Sequence, residues 1–423
     1  MIEDLLFFCP VCRQPDTIIT KKNTRCSHCG SYFAREGGRI VVNSEIKPGY
    51  EWFDLIRDLG FPPPIRHDIP LRAGEMLLFR SQDAALRQFT SRREWRPADY
   101  LYADLELPAL LGRAQLAVTT QRVFFISKDK MTHFPLESIT CVTTDSDTFL
   151  IRIKPLPCYQ FLFEGESPLK YEIWIRRVLA EFWRKKGSKE IIEYQPRLTF
   201  KTRRQVKSFP PVRMEKKQSP RIPAGQNLIY FSLRFLLVLL FRVFVRARVY
   251  GKHNLPHKGA CIVVLNHEGY WDAYLGQALL PRRVAFLAKN SEFKNRLFRA
   301  VLKLVRAIPV RRYQIDPSCL RNGLAWLARD GALGIFLEGE RCWDGRFLKP
   351  KRGVIKFLLK ANVPIVPVRI KGSYECKPRW SHKMQFYPVS LYIGKSFSLE
   401  TKKTTIDAAG QQVMEILSRL GER

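Results

Sequence analysis

Two Cys-x-x-Cys pairs, CPVC and CSHC, lie close together near the start of the chain. Cys9 and Cys12 form the first and Cys26 and Cys29 the second, with thirteen residues between them. Each pair makes a tight knuckle that presents two thiolates to one ion, and two knuckles complete a tetrahedral Zn(Cys)4 site. A segment this small cannot bury enough apolar surface to fold alone, so the metal supplies the folding energy. Four protein ligands leave no open coordination position, which makes the expected zinc structural and not catalytic. Gly30 follows the second knuckle, and RIVV reads as a closing strand.

The chain of 423 residues suits two or three domains. At 46% hydrophobic it has material for real cores. Its net charge of +33 points to anionic partners: nucleic acid, anionic lipid or phosphate-bearing small molecules. The N-terminus puts acidic residues before a short apolar run, unlike a secretory signal. Ten cysteines without such a signal read as metal ligands and free thiols, in a protein that is not secreted.

Residues 1–43 resemble a zinc ribbon. Residues 44–69 read as a short helical connector, YEWFDLIRDL, ending at Gly60 and FPPP. From 70 to 186 the pattern turns to strands. Phe149, Ile151 and Ile153 share one face, as do Tyr159, Phe161 and Phe163. Ile175, Leu179 and Phe182 then place a helix at the end of the unit. GEMLLF, LAVTTQRVFFI and FPLESI resemble a pleckstrin-homology-like barrel of the GRAM kind. That resemblance implies a lipid-surface or protein-docking module; a structural spacer is the alternative.

Residues 187–226 read as a linker, with nine basic residues, one acid and five prolines over 196–226. Beside an apolar helix, it would be drawn to an anionic leaflet. The helix is LIYFSLRFLLVLLFRVFV, residues 228–245. Its length of ~27 Å falls just short of a bilayer core. Arg234, Arg242 and Arg246 share one stripe, which favours a helix lying in one leaflet with the arginines at headgroup depth. A buried core helix and a tilted span remain open.

Residues 227–423 alternate strand and helix, the pattern of an α/β domain with a largely parallel sheet. Asp316 and Pro317 read as N-cap and first residue of one helix, and Gly331 as its end. Ligands in such sheets gather at the C-terminal ends of strands. His267 lies at the end of CIVVL, and Asp272 just inside the next helix. Across that turn the aspartate can point back, orient the imidazole and stabilise its protonated form. His267 would then act as general base on an alcohol. A core histidine and a helix-terminal aspartate are the alternative. AIPVRR brings Arg312 to one further strand end, and IFLEGER brings Glu338, Gly339 and Arg341 to another. Arginine forks suit phosphate, and the glycine permits close backbone approach.

NHEGYWD, AIPVRR, FLEGER and VPIVPV, in that order, resemble the four motifs of the glycerolipid acyltransferase family, the PlsC-like or lysophosphatidate acyltransferase group. The resemblance covers 227–423. It implies that His267 deprotonates a glycerolipid hydroxyl, which attacks acyl-CoA or acyl-carrier protein without a catalytic cofactor. Arg312, Glu338, Gly339 and Arg341 fall where the family binds its polar, usually phosphate-bearing acceptor. A lysophospholipid, foremost 1-acylglycerol-3-phosphate, would be that acceptor, at the cytoplasmic side of a membrane. Gly269 stands where serine or threonine is usual, Leu337 for proline, Glu340 for threonine and Cys342 for serine. Glu340 adds a carboxylate at the presumed phosphate site, which opens the way to a zwitterionic or neutral acceptor. A catalytically inactive lipid-binding scaffold is the competing class. The ribbon and barrel are candidate docking sites for a protein partner. No recognition helix and no run of stacking aromatics among basic residues supports nucleic-acid binding.

Overall fold

The computed structural model describes residues 2–20, 24–37, 39–61, 68–95, 103–145, 148–156, 158–187, 224–293, 295–310, 316–381, 383–400 and 404–422. The basic linker, over 188–223, and Arg312 lie outside them. The chain forms two compact units, Met1–Ser91 with Leu107–Arg203, and Arg92–Glu106 with Arg204–Arg423.

The first unit begins with α1 (Ile2–Leu5) and an antiparallel five-stranded ribbon: β1 (Ile18–Thr20), β2 (Thr24–Cys26), β3 (Tyr32–Glu36), β4 (Arg39–Val42) and β5 (Glu45–Pro48), paired in chain order. The expected closing strand RIVV is β4. A short helix, α2 (Gly49–Asp54), follows. Eight strands come next: β6 (Leu77–Arg80), β7 (Ala84–Trp95), β8 (Ala103–Thr119), β9 (Arg122–Ile126), β10 (Met131–Pro135), β11 (Ile139–Asp145), β12 (Thr148–Ile153) and β13 (Cys158–Leu162). Their order is β10-β9-β8-β7-β13-β12-β11, with β6 pairing β8. Helix α3 (Pro168–Lys185) packs on β11 and β12. Phe149, Ile151, Ile153, Phe161, Ile175 and Leu179 are all buried, as their spacing predicts.

Lys170 ties the ribbon to α3. It is 2% exposed, and its ammonium meets Asp16 at 2.6 Å and Glu166 at 3.0 Å. It also lies over the Tyr171 and Trp174 rings. A cation this deep is tolerable only with such partners.

The second unit carries α4 (Ala224–Phe244), β14 (Arg248–Tyr250), β15 (Cys261–Leu265), α5 (Asp272–Leu279), β16 (Val284–Lys289), α6 (Arg296–Leu304), β17 (Ile308–Val310), α7 (Pro317–Leu327), β18 (Ala332–Phe336), α8 (Arg352–Ala361), β19 (Ile365–Lys371), α9 (Ser373–Cys376), β20 (Ser390–Ile393) and α10 (Ile406–Arg419). The sheet order is β14-β20-β19-β15-β18-β16-β17. Every neighbouring pair is parallel except β19 and β20. This is the mostly parallel α/β unit expected from the alternation.

Central strand β15 is buried on both faces, as a parallel strand between helical layers must be. Ile262 and Val264 join one core with Ile355, Phe357 and Leu417 from α8 and α10. Cys261, Val263 and Leu265 join the other with Leu275 and Leu279 of α5 and Phe241 of α4. The period-two alternation of CIVVL thus divides its side chains between two layers.

Asp316 caps α7 by accepting from the Cys319 amide at 3.2 Å. Gly331 does not end that helix through left-handed backbone; Asp330 takes the positive φ, +60°. Gly331 is instead needed for close approach, because a Cβ there would lie 2.4 Å from the Trp326 indole nitrogen.

Arg234 does not serve the headgroup role expected of it. Its guanidinium donates to the carbonyls of Ala278 at 3.1 Å and Leu280 at 2.5 Å, at the C-terminal end of α5. Helix ends leave carbonyls unpaired and slightly negative, so an arginine is satisfied there without water. Tyr230, Phe241 and Val245 are buried along the packed side. Phe231, Phe235, Leu236, Leu239, Val243 and Phe244 are exposed. Residues Asn227–Phe244 are long and apolar enough to cross a membrane by length and composition.

Candidate active site

The site is built where β15 ends. Asn266 closes the strand: its side-chain amide donates to the Ile370 carbonyl at 2.8 Å and accepts from the Ile370 amide at 2.7 Å. That pairing pins the end of β15 to β19, and His267 follows at once. The His267 amide donates to Glu338 Oε1 at 2.9 Å, and its carbonyl accepts from the Cys342 amide at 2.9 Å. Both backbone groups of His267 are therefore held by the segment after β18, from Glu338 to Cys342. The imidazole stacks on Phe336, with centroids 4.1 Å apart and planes 18° from parallel.

His267 Nδ1 lies 2.8 Å from Asp272 Oδ2. The same oxygen accepts from the backbone amides of Glu268 at 2.7 Å and Gly269 at 2.9 Å. Its other oxygen, Oδ1, takes a short hydrogen bond from the Ser373 hydroxyl. Asp272 is fully buried and His267 is 9% exposed. The carboxylate thus folds the loop around itself and orients the ring. The helix-terminal carboxylate and the one that points back at the imidazole, alternatives in the sequence, are here the same side chain. With its Nδ1–H given to a carboxylate, an imidazole keeps Nε2 for proton transfer.

Glu338 is 1% exposed, and its second oxygen accepts from the Leu348 amide at 2.8 Å. Burial pushes its carboxyl up to about 8, against the two amides, which favour the ionised form. Burial, reinforced by Asp272, Glu375 and Glu338, likewise raises Glu268 well above the usual carboxylate range. Gly339 adopts φ +69°, and a Cβ there would press on Lys351 at 3.0 Å.

The carboxylate of Glu340 does not stand alone. Lys351 reaches one oxygen at 2.7 Å and Arg379 the other at 3.1 Å. Two cations on one carboxylate leave the cluster net positive. Arg379 also donates to the Arg341 carbonyl at 2.9 Å. The Arg341 guanidinium lies 5.7 Å from the centre of the Tyr270 ring, and the Lys377 ammonium 4.3 Å from it. The structure therefore brings His267, Asp272, Glu338, Gly339 and Arg341 to one turn system. Lys351, Lys377, Arg379 and Ser373 were not anticipated. Their only signal is position, after the EGER turn or after the strand VPIVPVRI.

Part of this unit is similar in sequence to known proteins. Residues 246–371 match the acyltransferase family. A 1-acyl-sn-glycerol-3-phosphate acyltransferase of Bacillus subtilis is 31% identical over 126 residues, 30% of this chain and 62% of that protein. One from Brassica napus, chloroplastic BAT2, is 27% identical over 33% of this chain and 41% of its own length. The human alpha form is 29% identical over 36% and 54%. The chain thus spans less than two thirds of each of these relatives. The lysophosphatidate acyltransferase PlsC of Thermotoga maritima overlays 46% of this chain and 85% of its own at 22% identity and a TM-score of 0.38. The similarity to acyltransferases lies within the C-terminal unit.

The four N-terminal cysteines form a second site. Their sulfurs lie within 4.8 Å of one another. Cys9 and Cys29 are 3.7 Å apart, as are Cys12 and Cys26. Zinc–sulfur bonds of ~2.3 Å in a tetrahedron require sulfurs ~3.8 Å apart, so the residues fit that ion. The Cys29 amide donates to Cys26 Sγ at 3.4 Å, the hydrogen bond of a knuckle.

Proposed function

We propose that the protein is a membrane-associated O-acyltransferase. It moves a fatty acyl group from acyl-CoA or acyl-carrier protein to a lysophospholipid hydroxyl, foremost that of 1-acylglycerol-3-phosphate. The observation that carries this is the buried Asp272 carboxylate holding His267 by Nδ1 beside a cluster of cations.

In this reading His267 Nε2 takes the acceptor's hydroxyl proton as that oxygen bonds to the thioester carbonyl carbon. The tetrahedral intermediate collapses, the C–S bond breaks, and the imidazolium returns the proton to the departing thiolate. Asp272 stabilises the imidazolium between these two steps. Glu338 acts by holding the His267 backbone and Gly339 by shaping the turn. Arg341, with Arg312 from the neighbouring motif, receives the acceptor's phosphate. The pairing of Glu340 with Lys351 and Arg379 supports an anionic acceptor over a neutral one.

The exposed apolar side of α4 supports docking on one leaflet, which we place at the cytoplasmic side of the membrane. Arg242 and Arg246, both exposed, suit an anionic headgroup layer. The β-rich unit, with its terminal helix, is read as a GRAM-like docking module. Zinc bound by Cys9, Cys12, Cys26 and Cys29 serves its folding only.

The test is acyl transfer by the full chain in liposomes, read by mass spectrometry. Acyl-CoA and acyl-carrier protein are supplied against a panel of lysolipids, with His267→Ala as control. The wild type should form product, and the variant should lose at least ~100-fold, the usual share of a general base. Equal product from both would remove His267 from the mechanism.

A further inference from the structure

We propose that Ser373 is a positioning residue for the His267–Asp272 pair, acting through Asp272. This rests on the acyl-transfer reading above. The two residues are 101 positions apart in sequence, and only the fold joins them.

Asp272 needs donors on both oxygens to hold its plane. Oδ2 has three: the imidazole and the amides of Glu268 and Gly269. All three are on Oδ2, and none of them reaches Oδ1. Oδ1 has the Ser373 hydroxyl, which is fully buried. That bond fixes the tilt and so the direction in which the imidazole faces.

The hydroxyl cannot come from the loop itself. Position 269 is a glycine, and a Cβ there would lie 2.3 Å from the Ser373 carbonyl oxygen and 2.8 Å from Ser373 Oγ. The bare glycine makes the room into which the 373 turn fits. Two further bonds hold that turn in place. The Tyr270 amide donates to the Lys377 carbonyl, and the Lys377 amide to the Ser373 carbonyl, each at 3.2 Å. Gly269 and Ser373 are two halves of one device: the small residue admits the turn, and the turn delivers the donor.

Ser373→Ala should lower kcat about 10- to 100-fold, the range for one hydrogen bond to a charged group, and leave KM within about twofold. The hydroxyl proton draws negative charge from Asp272. Its loss leaves more for the imidazolium, and the acid limb of the pH–rate profile should move to higher pH by about half a unit or more. In an Asp272→Asn background the same change should cost less than about threefold, because the two act as one unit. Ser373→Cys, which keeps a weaker donor, should fall between serine and alanine.

An unchanged kcat would overturn the proposal, as would equal losses in both backgrounds or a loss confined to KM. If Ser373→Ala does not fold, Ser373→Cys carries the same pH comparison. A second readout needs no substrate: site-resolved deuterium exchange at C2 of His267 against pH, by mass spectrometry. A shifted midpoint in Ser373→Ala with no transfer by wild type keeps the positioning role and rejects the acyl-transfer reading. An unshifted midpoint with active wild type rejects the positioning role alone.

Discussion

Asp272→Asn separates what the carboxylate does by charge from what it does by hydrogen bonding. The Oδ2 site faces two backbone amides at 2.7 and 2.9 Å, so an asparagine must place its carbonyl oxygen there. Its NH2 then faces Ser373, whose hydroxyl turns to accept. The imidazole still donates to oxygen, and the loop keeps both amide bonds. Only the charge is lost. With charge centres about 4 Å apart and an effective dielectric of about 20, a full imidazolium loses about 4 kcal/mol of attraction. A transition state carrying half to all of that charge loses about 2–4 kcal/mol, or roughly 30- to 1000-fold in kcat. Asp272→Ala removes the acceptor as well. It strands two buried amides and the Ser373 hydroxyl, adding about 3 kcal/mol or more of instability. The assay pairs acyl transfer with denaturant unfolding. The asparagine variant should be near wild type in stability and far below it in kcat, and the alanine variant should fail in both. An asparagine variant with more than a third of wild-type kcat would refute the charge argument. Equal instability of the two variants would refute the loop-folding one.

Four other outcomes follow from the structure. The Glu338 carboxyl keeps its proton in the fold to about 8 but loses it near its ordinary 4.5 when unfolded. Stability should therefore fall as pH rises across that window, and Glu338→Gln should flatten the slope in melting temperature measured from pH 5 to 9. Removing metal with a chelator should release one zinc per chain and lower the melting temperature; a change of Lys170→Met, which leaves Asp16 and the buried Glu166 side chain without their cation, should cost about 3 kcal/mol with zinc still bound. Phe235→Ser with Leu239→Ser on the exposed side of α4 should weaken sedimentation with anionic liposomes at least tenfold while transfer to a short-chain, water-soluble acceptor persists.

The sequence by itself determined the parts whose chemistry is local. Two cysteine knuckles specify a four-sulfur site, because each knuckle is a turn of four residues. CIVVL specifies a strand buried on both faces, and Asp316-Pro317 a helix start, because neighbouring residues suffice to make either. The ordered motifs pointed to the same family that residues 246–371 match, and drew attention to His267, Asp272, Glu338, Gly339 and Arg341. What the tertiary structure decided are contacts between strand ends far apart in the chain. Glu338 became a clamp on the His267 backbone because β18 runs beside β15, bringing the EGER turn within reach of that amide. Glu340, which in sequence is an added negative charge, is neutralised because Lys351 and Arg379 arrive from two other segments. Arg234, in sequence a charge interrupting an apolar helix, is satisfied because α5 ends against α4. Ser373 is silent in the sequence, for a serine after a strand has no signature of its own. It acquires a role only because β19 lies next to β15 and Gly269 leaves the space. Local pattern carries torsional preference and burial; the partner of a buried charge is set by the sheet order, which no short stretch encodes.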